Sequence, residues 1–462
     1  MTTILPENKS FENERKILIT RFLKDHHIGK MLNQCNFRKT KGIPCLHLLE
    51  FLILLVFSGK NLYRILAAKN RDSFEFHKDC VYRFLNDCHY NWRKFLLMIG
   101  SSVIRNYLAP LTSEKRVNVF IVDDSLYSRS RSKAVELLAR VKDHVANKYV
   151  KGFRMLTLGW SDGNTFLPLA FTLLSSADES NRLCGVASHI DKRTNGYARR
   201  KEAQFKSTDA LINLLKQAQS YMIPASYLLF DSWFAFPSVI CKIRELKIHT
   251  ICMLKALPKI YYGYGDKRLN LKSLYAAVKK KRGRAKTLAS VIVTIGYKED
   301  GTPIQAKILF VRDKNRSREW LALLSTDIEL QDEEIVRIYG KRWDIEIFFK
   351  MAKSHLRLAK EFQGRSYDSM VAHTTIVFIR YIILALESRC GQDQRTIGEL
   401  FFACCDELKD LSLIEALQRV FTLLQSSLQA CFQATEAEIR KLLAFLIDAL
   451  PKCFKEKLAF CS

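Results

Sequence analysis

The sequence predicts an α/β protein in which a mixed β-sheet lies between two helical regions. Apolar residues recur at helical spacing through residues 1–112. Two short apolar runs, residues 117–122 and 225–230, each stop at an aspartate, as buried strands often do. Strand and helix patterns then alternate, which favours a mixed sheet over a helical bundle. From residue 367 onward the pattern is helical again.

Within the core, each element is predicted from its own pattern. Residues 161–164 (Ser-Asp-Gly-Asn) predict a tight turn between two strands, and this hairpin makes the sheet mixed. The predicted strands are residues 117–122, 153–160, 165–174, 225–230 and 249–254. The predicted helices are residues 207–221, residues 237–246 and one long helix over residues 333–358.

These patterns divide the 462-residue chain into five segments. The first has short helices separated by basic turns, a pattern typical of helix-turn-helix modules and of many other helical domains. The segments are a helical DNA-binding region (1–112), the first part of the core (113–254), an inserted basic β subdomain (255–327), the last helix of the core (328–366) and a helical C-terminal region (367–462).

The charge of the chain points to a polyanionic partner. Lys and Arg number 74 against 47 Asp and Glu, so the formal net charge is +27. An enzyme for small metabolites gains nothing from this self-repulsion, whereas a nucleic-acid backbone is bound through it. A ribosome-like basic surface and a membrane-surface binder are the alternatives. Residues 391–462 hold 8 Lys and Arg against 10 Asp and Glu, so the positive excess lies before them.

Cysteine usage and hydropathy predict a soluble cytoplasmic protein without a membrane partner. The 13 cysteines form no C-x-x-C pair, and the first residues are polar rather than signal-like. The longest apolar runs are residues 51–57, too short to cross a bilayer, and residues 376–386, which contain Arg380.

One motif suggests a chemistry that its context excludes. Residues 159–163 match the G-x-S-x-G elbow of serine hydrolases, which requires a strand turning into a helix. Here an apolar strand follows, so Ser161 is predicted to lie in a hairpin turn. No P-loop and no complete dinucleotide-binding glycine motif occurs, so the sequence gives no support to an NTPase or a dinucleotide enzyme.

Aspartates at predicted strand ends are candidates for metal ligands. Asp123 and Asp124 follow the first apolar run, and Asp231 follows the fourth. A carboxylate held at the edge of a sheet suits Mg²⁺, which binds one or two such oxygens together with phosphate and water. The alternative is that each aspartate only initiates a turn.

The predicted long helix carries a row of functional residue types. Tyr339, Arg342, Glu346 and Lys353 lie at offsets of 0, 3, 7 and 14, within about 60° of one another on a regular helix. Lys350 and Arg357 fall on the same stripe. A single glutamate among cations fits a metal ligand beside a row of phosphate-binding side chains.

The spacing Y-x2-R-x3-E-x6-K resembles the signature of bacterial insertion-sequence transposases of the DDE type. This resemblance covers about residues 117–357. It implies a ribonuclease-H-like core whose catalytic, metal-binding acids are Asp124, Asp231 and Glu346, with Asp123 as the reserve for the first. It also implies two Mg²⁺ ions, or Mn²⁺ in their place. The chain departs from many relatives after Asp231, where Ser232 and Trp233 replace a basic residue and glycine.

The resemblance also implies DNA-binding residues. Arg342, Lys353 and Lys350 would bind phosphates, and Tyr339 would donate a further hydrogen bond. Trp320 would stack on a flipped base, or else pack in the core. The basic stretch that includes Lys280, Lys281, Arg282 and Arg284 would contact the DNA backbone, or else form a solvated loop.

The leading hypothesis is therefore a DNA transposase in the bacterial cytoplasm, associated with the nucleoid when it is bound to DNA. It would bind the ends of its own element, cleave them and join them to target DNA as a homodimer assembled through the C-terminal region. Two alternatives stay open: a metal-dependent nuclease that does not transpose, and a DNA-binding relative without catalysis.

Overall fold

The computed structural model is built around one large mixed sheet with helices packed against it. It describes residues 18–39, 41–57, 59, 62, 78–113, 116–143, 146–281, 285–313, 319–361, 364–390, 396–402, 404–405, 420–421, 423–429 and 435–449. The predicted α/β class is confirmed, and the arrangement is consistent with a ribonuclease-H-like core.

The helices and strands have the following bounds. The helices are α1 Leu18–Asp25, α2 Ile28–Gln34, α3 Cys45–Leu55, α4 Lys78–Asn86, α5 Trp92–Val103, α6 Asn195–Glu202, α7 Ser207–Ser220, α8 Pro237–Glu245, α9 Leu271–Ala277, α10 Asp332–Gly340, α11 Trp343–Ser354, α12 Tyr367–Cys390 and α13 Glu436–Ala449. The strands are β1 Val119–Ser128, β2 Ala139–Asp143, β3 Lys148–Ser161, β4 Phe166–Leu174, β5 Tyr227–Phe230, β6 His249–Leu254, β7 Tyr261–Tyr264, β8 Lys267–Asn270, β9 Thr287–Tyr297, β10 Pro303–Arg312 and β11 Trp320–Ser325.

The sheet joins antiparallel and parallel pairs in one surface. Its strand order is β2-β3-β1-β5-β6-β11-β10-β9-β7-β8, and β4 pairs with β3. β1 is antiparallel to β3 and parallel to β5, and β5 is parallel to β6. The segment predicted as an insertion, residues 255–327, supplies β7 to β11, and β11 pairs antiparallel with β6. These strands therefore extend the core sheet.

The first strand runs further than its sequence predicts. β1 continues through Asp123 and Asp124 to Ser128, because β3 pairs with it along that whole length, from Val119↔Ser161 to Ser128↔Gly152. The prediction that a strand ends before Asp123 is therefore wrong. Only the parallel partner, β5, stops early, and its last residue is Phe230.

The predicted long helix over residues 333–358 is also wrong, because it divides into α10 and α11 at Lys341 and Arg342. The Lys341 amine donates to the carbonyl oxygen of Val117 at 2.5 Å and to that of Asp162 at 3.3 Å. These bonds attach the break to the beginning of the core and to the β3–β4 hairpin. Tyr339 and Glu346 therefore lie on two different helices.

The longest helix, α12, is a core element. Residues Tyr367–Arg389 are long and apolar enough to cross a membrane, but 94% of the most apolar window is buried inside the protein. The guanidinium of Arg380 is fully buried, where it pairs with Glu361 at 2.7 Å and donates to the Ile53 carbonyl at 3.1 Å. This charge is satisfied by the fold itself, which joins α12 to the end of α3.

Candidate active site

The two faces of β1 present different carboxylates. Successive side chains of a strand point to opposite sides, so Asp123 and Ser125 share one face and Asp124 lies on the other. On the first face, a guanidinium nitrogen of Arg342 lies 3.6 Å from an Asp123 oxygen, and the Lys353 amine donates to the Ser125 hydroxyl at 2.5 Å. This face of β1 therefore meets the residues of α11.

On the opposite face of β1, Asp124 contacts a cation of the neighbouring strand. Arg154 of β3 pairs with Asp124 through two nitrogen–oxygen contacts of 3.0 Å each. The guanidinium carbon of Arg154 also lies 4.9 Å from the centre of the Trp233 ring. Asp124 is thus engaged in a two-point ion pair away from Arg342.

Asp231 joins the Asp123 site from the parallel strand. Its side chain accepts a hydrogen bond from the Trp233 backbone N–H at 2.9 Å, which fixes the turn after β5. The parallel pairing of β1 with β5 ends at Ile121↔Leu229, so Asp123 and Asp231 each follow the last pair by two residues. Burial, and then the nearby carboxylate of Asp231, raise the pKa of Asp123 to about 7.

Arg342 connects Glu346 to the aspartates of the site. The Arg342 guanidinium contacts Glu346 at 2.6 Å and Asp123 at 3.6 Å, so one cation joins the two acids. Its carbon lies 5.9 Å from the centre of the Tyr339 ring. Arg342 is 15% exposed and Glu346 is 33% exposed, so the acid opens to solvent.

The donor set fits a divalent cation. Asp123, Asp231 and Glu346 offer carboxylate oxygens, the ligands that Mg²⁺ and Mn²⁺ prefer. Burial is the main cause of the raised pKa of Asp123, and a bound cation would relieve the repulsion by Asp231 that adds to it. The ligand oxygens of the three acids do not all lie within 4.8 Å of one another, and Arg342 lies against two of the acids.

The other predicted DNA-binding residues of α10 and α11 differ in their access to solvent. Lys350 is exposed on α11, whereas Lys353 is half-buried against Ser125, and burial lowers the pKa of its amine. The Tyr339 hydroxyl is buried, and burial raises its pKa. Of these three residues, Lys350 is the one whose side chain is exposed to solvent.

The predicted DNA contacts outside α11 lie elsewhere on the sheet. Trp320 is half-buried, with its ring centre 4.8 Å from that of Tyr275 and 5.1 Å from that of Phe310, which favours the packing interpretation. The Lys280 amine lies 4.9 Å from the Tyr275 ring centre, and Lys281 is exposed. Trp320 belongs to β11, beyond β6 in the sheet, and the two lysines lie in the connection between α9 and β9. The predicted contacts Arg282 and Arg284 fall outside the described residues.

The G-x-S-x-G segment forms the predicted hairpin turn and supports the site. Ser161 donates to a carboxylate oxygen of Asp344 at 2.7 Å, which holds the first turn of α11 against the end of β3. The next residue, Asp162, is buried and accepts from Thr112 at 3.0 Å and Arg389 at 3.3 Å. The sequence did not single out these contacts, because they join residues far apart in the chain.

Two further residues of the site, Ser125 and Arg154, were not predicted from the sequence. Strand alternation places Ser125 on the face of Asp123, and this signal was present in the sequence. Arg154 could not be found in the same way, because its contact with Asp124 depends on the β1–β3 register, in which Leu126 is opposite Arg154.

Comparison with family models gives two overlapping matches, both to proteins of the DDE type. The family model described as DDE superfamily endonuclease matches residues 39–264, which include Asp123, Asp124 and Asp231. More particularly, the model described as Transposase DDE domain matches residues 199–383, which include Asp231 and Glu346. The two matches overlap around Asp231 and support a DDE-type transposase. No curated protein matches the chain.

Nucleases of this superfamily typically use divalent metal ions, in agreement with the carboxylate donor set. The matches likewise make DNA the partner that the family suggests.

Proposed function

We propose that this protein is a DNA transposase that binds the ends of its own insertion element, cleaves them and joins them to target DNA. The observation that carries the proposal is that the Arg342 guanidinium contacts both Asp123 and Glu346, while Asp231 lies near enough to raise the pKa of Asp123. The match of residues 199–383 to a transposase domain supports it.

In this proposal the first acid is Asp123, the residue that the sequence held in reserve, and not Asp124. Asp123 shares its environment with Asp231 and Arg342, whereas Asp124 is paired with Arg154. A cation bound by Asp124 would have to displace that two-point ion pair. The ion contact of Asp123 with Arg342 is longer, at 3.6 Å, and its other oxygen accepts from the Asp124 backbone N–H at 2.8 Å.

The three carboxylates would hold Mg²⁺ or Mn²⁺. Two such ions activate the attacking oxygen and stabilise the leaving oxygen of an in-line phosphoryl transfer. The protein's own contribution is to place negative side chains on a rigid strand and helix, and to offer cations to the phosphates beside them. Arg342 and Lys353 are the proposed phosphate ligands nearest the acids, and Lys350 is a third at the solvent-exposed side of α11.

The proposal extends to the oligomeric state of the protein and to the part of the chain that binds DNA. The protein acts as a homodimer in the bacterial cytoplasm, joined through the near-neutral C-terminal region, while the basic first 390 residues bind the element ends and the target DNA. The residues of the C-terminal helix α13 give some support, because Phe445 is 70% exposed.

Cleavage of a supercoiled plasmid that carries the DNA flanking this gene tests the proposal. The wild type is compared with Glu346→Gln, with Mg²⁺ and with EDTA. Metal-dependent cuts at the element boundaries that the variant cannot make are the expected result. If both proteins bind the boundaries and neither cuts, catalysis is excluded and a DNA-binding relative is left.

A second candidate is a metal-dependent nuclease without transposition, favoured by the endonuclease description of the model that matches residues 39–264. The same plasmid separates the two functions. Metal-dependent nicks at random positions, abolished by Glu346→Gln, would support the nuclease and contradict the transposase.

A further inference from the structure

A cavity of about 600 Å³ lies between the loop that follows β1 and the turn that follows α11. Four cations line it, with serine hydroxyls between them, and none of the residues lining it is acidic. The residues that matter here are Arg129, Arg131, Lys353, Lys360, Ser130 and Ser132. Such a combination of guanidinium, ammonium and hydroxyl donors suits an anion with several acceptor oxygens.

The walls of the cavity are fixed by the backbone. The N–H of Arg129 donates to the Lys151 carbonyl at 2.8 Å, which holds the β1 loop against β3. On the other side, Arg357 and Ala359 have positive φ values of 56° and 62°, so the chain turns sharply after α11. The fold thus brings two basic segments, more than 200 residues apart in sequence, to one cavity.

The side chains of the cavity differ in exposure. Arg131 and Lys360 are exposed, whereas Arg129 is half-buried with its guanidinium carbon 5.5 Å from the Tyr127 ring centre. The carboxylates that attract the Lys353 amine are those of Asp143 and Asp123, and neither of them lines the cavity. The two exposed cations are therefore the ones most open to a ligand from solvent.

Lys353 joins this cavity to the acidic site, because it lines the cavity and donates to Ser125, two residues beyond Asp123 on β1. A strand rises about 3.3 Å per residue, so Ser125 and Ser128 lie about 7 and 17 Å from Asp123 along β1. Phosphates of one DNA strand are spaced about 3.4 Å along the duplex axis. For DNA that follows β1, the cavity is about two to five nucleotides from Asp123.

We propose that this cavity binds a backbone phosphate of the DNA strand, about two to five nucleotides from the phosphate that reacts at the acids. Arg131 and Lys360, which belong to no part of the Y-x2-R-x3-E-x6-K spacing, are its principal ligands. The inference rests on the proposed DNA-cleaving function and adds a second phosphate site to it.

The test measures binding without cleavage. A 30-base-pair duplex from the DNA flanking the gene is titrated with full-length protein in EDTA over a range of salt concentrations. The variant Arg131→Gln/Lys360→Gln is compared with Lys216→Gln/Lys242→Gln, which removes the same charge from exposed positions on α7 and α8. The slope of log K against log salt is negative, and the loss of one phosphate contact should make it less steep by about 0.9. We expect this change in the cavity variant alone.

A set of duplexes with single methylphosphonates locates the contact. We expect one position about two to five nucleotides from the cut to weaken the wild type and to have no further effect on the cavity variant. Equal slopes for the cavity and control variants would overturn the inference, since net charge alone would then explain the loss.

The two proposals fail in different ways. A wild-type protein that binds with the cavity signature but never cuts keeps the phosphate site and loses the transposase. A protein that cuts at the boundaries, with a cavity variant that binds like its control, keeps the transposase and loses the cavity assignment.

Discussion

Asp123 and Asp124 are adjacent, identical in chemistry and opposite in environment. Asp123 lies with Asp231, and the cations nearest its face of β1 are Arg342 and Lys353. Asp124 faces β3 and forms a two-point ion pair with Arg154. On one face of β1, therefore, the carboxylates of Asp123 and Asp231 repel each other. On the other face, the carboxylate of Asp124 is neutralised by Arg154. The comparison teaches that strand alternation, more than residue type, decides which acid is available to a cation.

Cleavage activity should distinguish the two aspartates most strongly. Asp123→Asn should abolish boundary cleavage, by on the order of a thousandfold or more, because catalytic groups that act as a unit fail together. Asp124→Asn should retain activity within about tenfold, since an amide oxygen can still accept from Arg154. Cleavage rates of the two variants on the flanking-DNA plasmid give the comparison. The opposite ranking would return the first-acid role to Asp124.

The second prediction concerns stability without metal. The folded-state pKa of Asp123, about 7, is above its usual value of 3.8, so its ionisation weakens the fold as the pH rises between those values. Asp123→Asn should therefore increase the free energy of unfolding by about 2–4 kcal/mol at pH 8 and by less than half of that at pH 5. Urea denaturation in EDTA at both pH values measures it.

Asp124→Asn is the matched control for this measurement. It weakens the ion pair with half-buried Arg154 and should lower the free energy of unfolding by about 1–2 kcal/mol. A gain in stability for both variants would show that general charge reduction, and not the Asp123 environment, is responsible.

Metal binding should also distinguish Asp123 from Asp124. Ligand carboxylates must be deprotonated, so stabilisation by Mn²⁺ should be larger at pH 8 than at pH 6, on either side of the Asp123 pKa of about 7. The shift in melting temperature on adding MnCl₂ is the measurement. It should disappear in Asp123→Asn and persist in Asp124→Asn. An equal shift in all three proteins would place the cation elsewhere.

The weakest of these effects concerns Ser125 of β1. Ser125→Ala removes the hydroxyl that accepts from Lys353, at a cost of about 1 kcal/mol in stability. Thermal denaturation of this variant beside Ser128→Ala, an exposed serine on the same strand, measures it. Equal stability of the two variants would mean that the Lys353 contact contributes nothing.

Much of the sheet could be predicted because its strands are short apolar runs with clear ends. Residues 249–254 form a strand with the predicted bounds, and Asp231 directly follows β5 as its sequence indicates. Local pattern sufficed there, since burial of an apolar run depends little on its partners.

The choice between Asp123 and Asp124 could not be made in the same way. Both follow one apolar run, and which face of β1 meets α11 is set by pairing with β3 and β5. The helix break at Lys341 was equally hidden, because its anchor at Val117 is more than 200 residues away in sequence. Contacts of this kind leave no periodic signal.

The buried carboxylate of Asp162 has a consequence for anyone who would divide this chain. It accepts from Thr112 and Arg389, and its carbonyl accepts from Lys341, so three distant stretches converge on one turn. A fragment that begins after residue 112 or stops before residue 367 loses at least one of these donors. Each such fragment would leave the buried Asp162 carboxylate with fewer donors, although the backbone N–H groups of Asn164 and Thr165 still bond to it. Pieces cut at the boundaries predicted from the sequence would therefore lack contacts that hold this turn, and the protein is best studied as an intact chain.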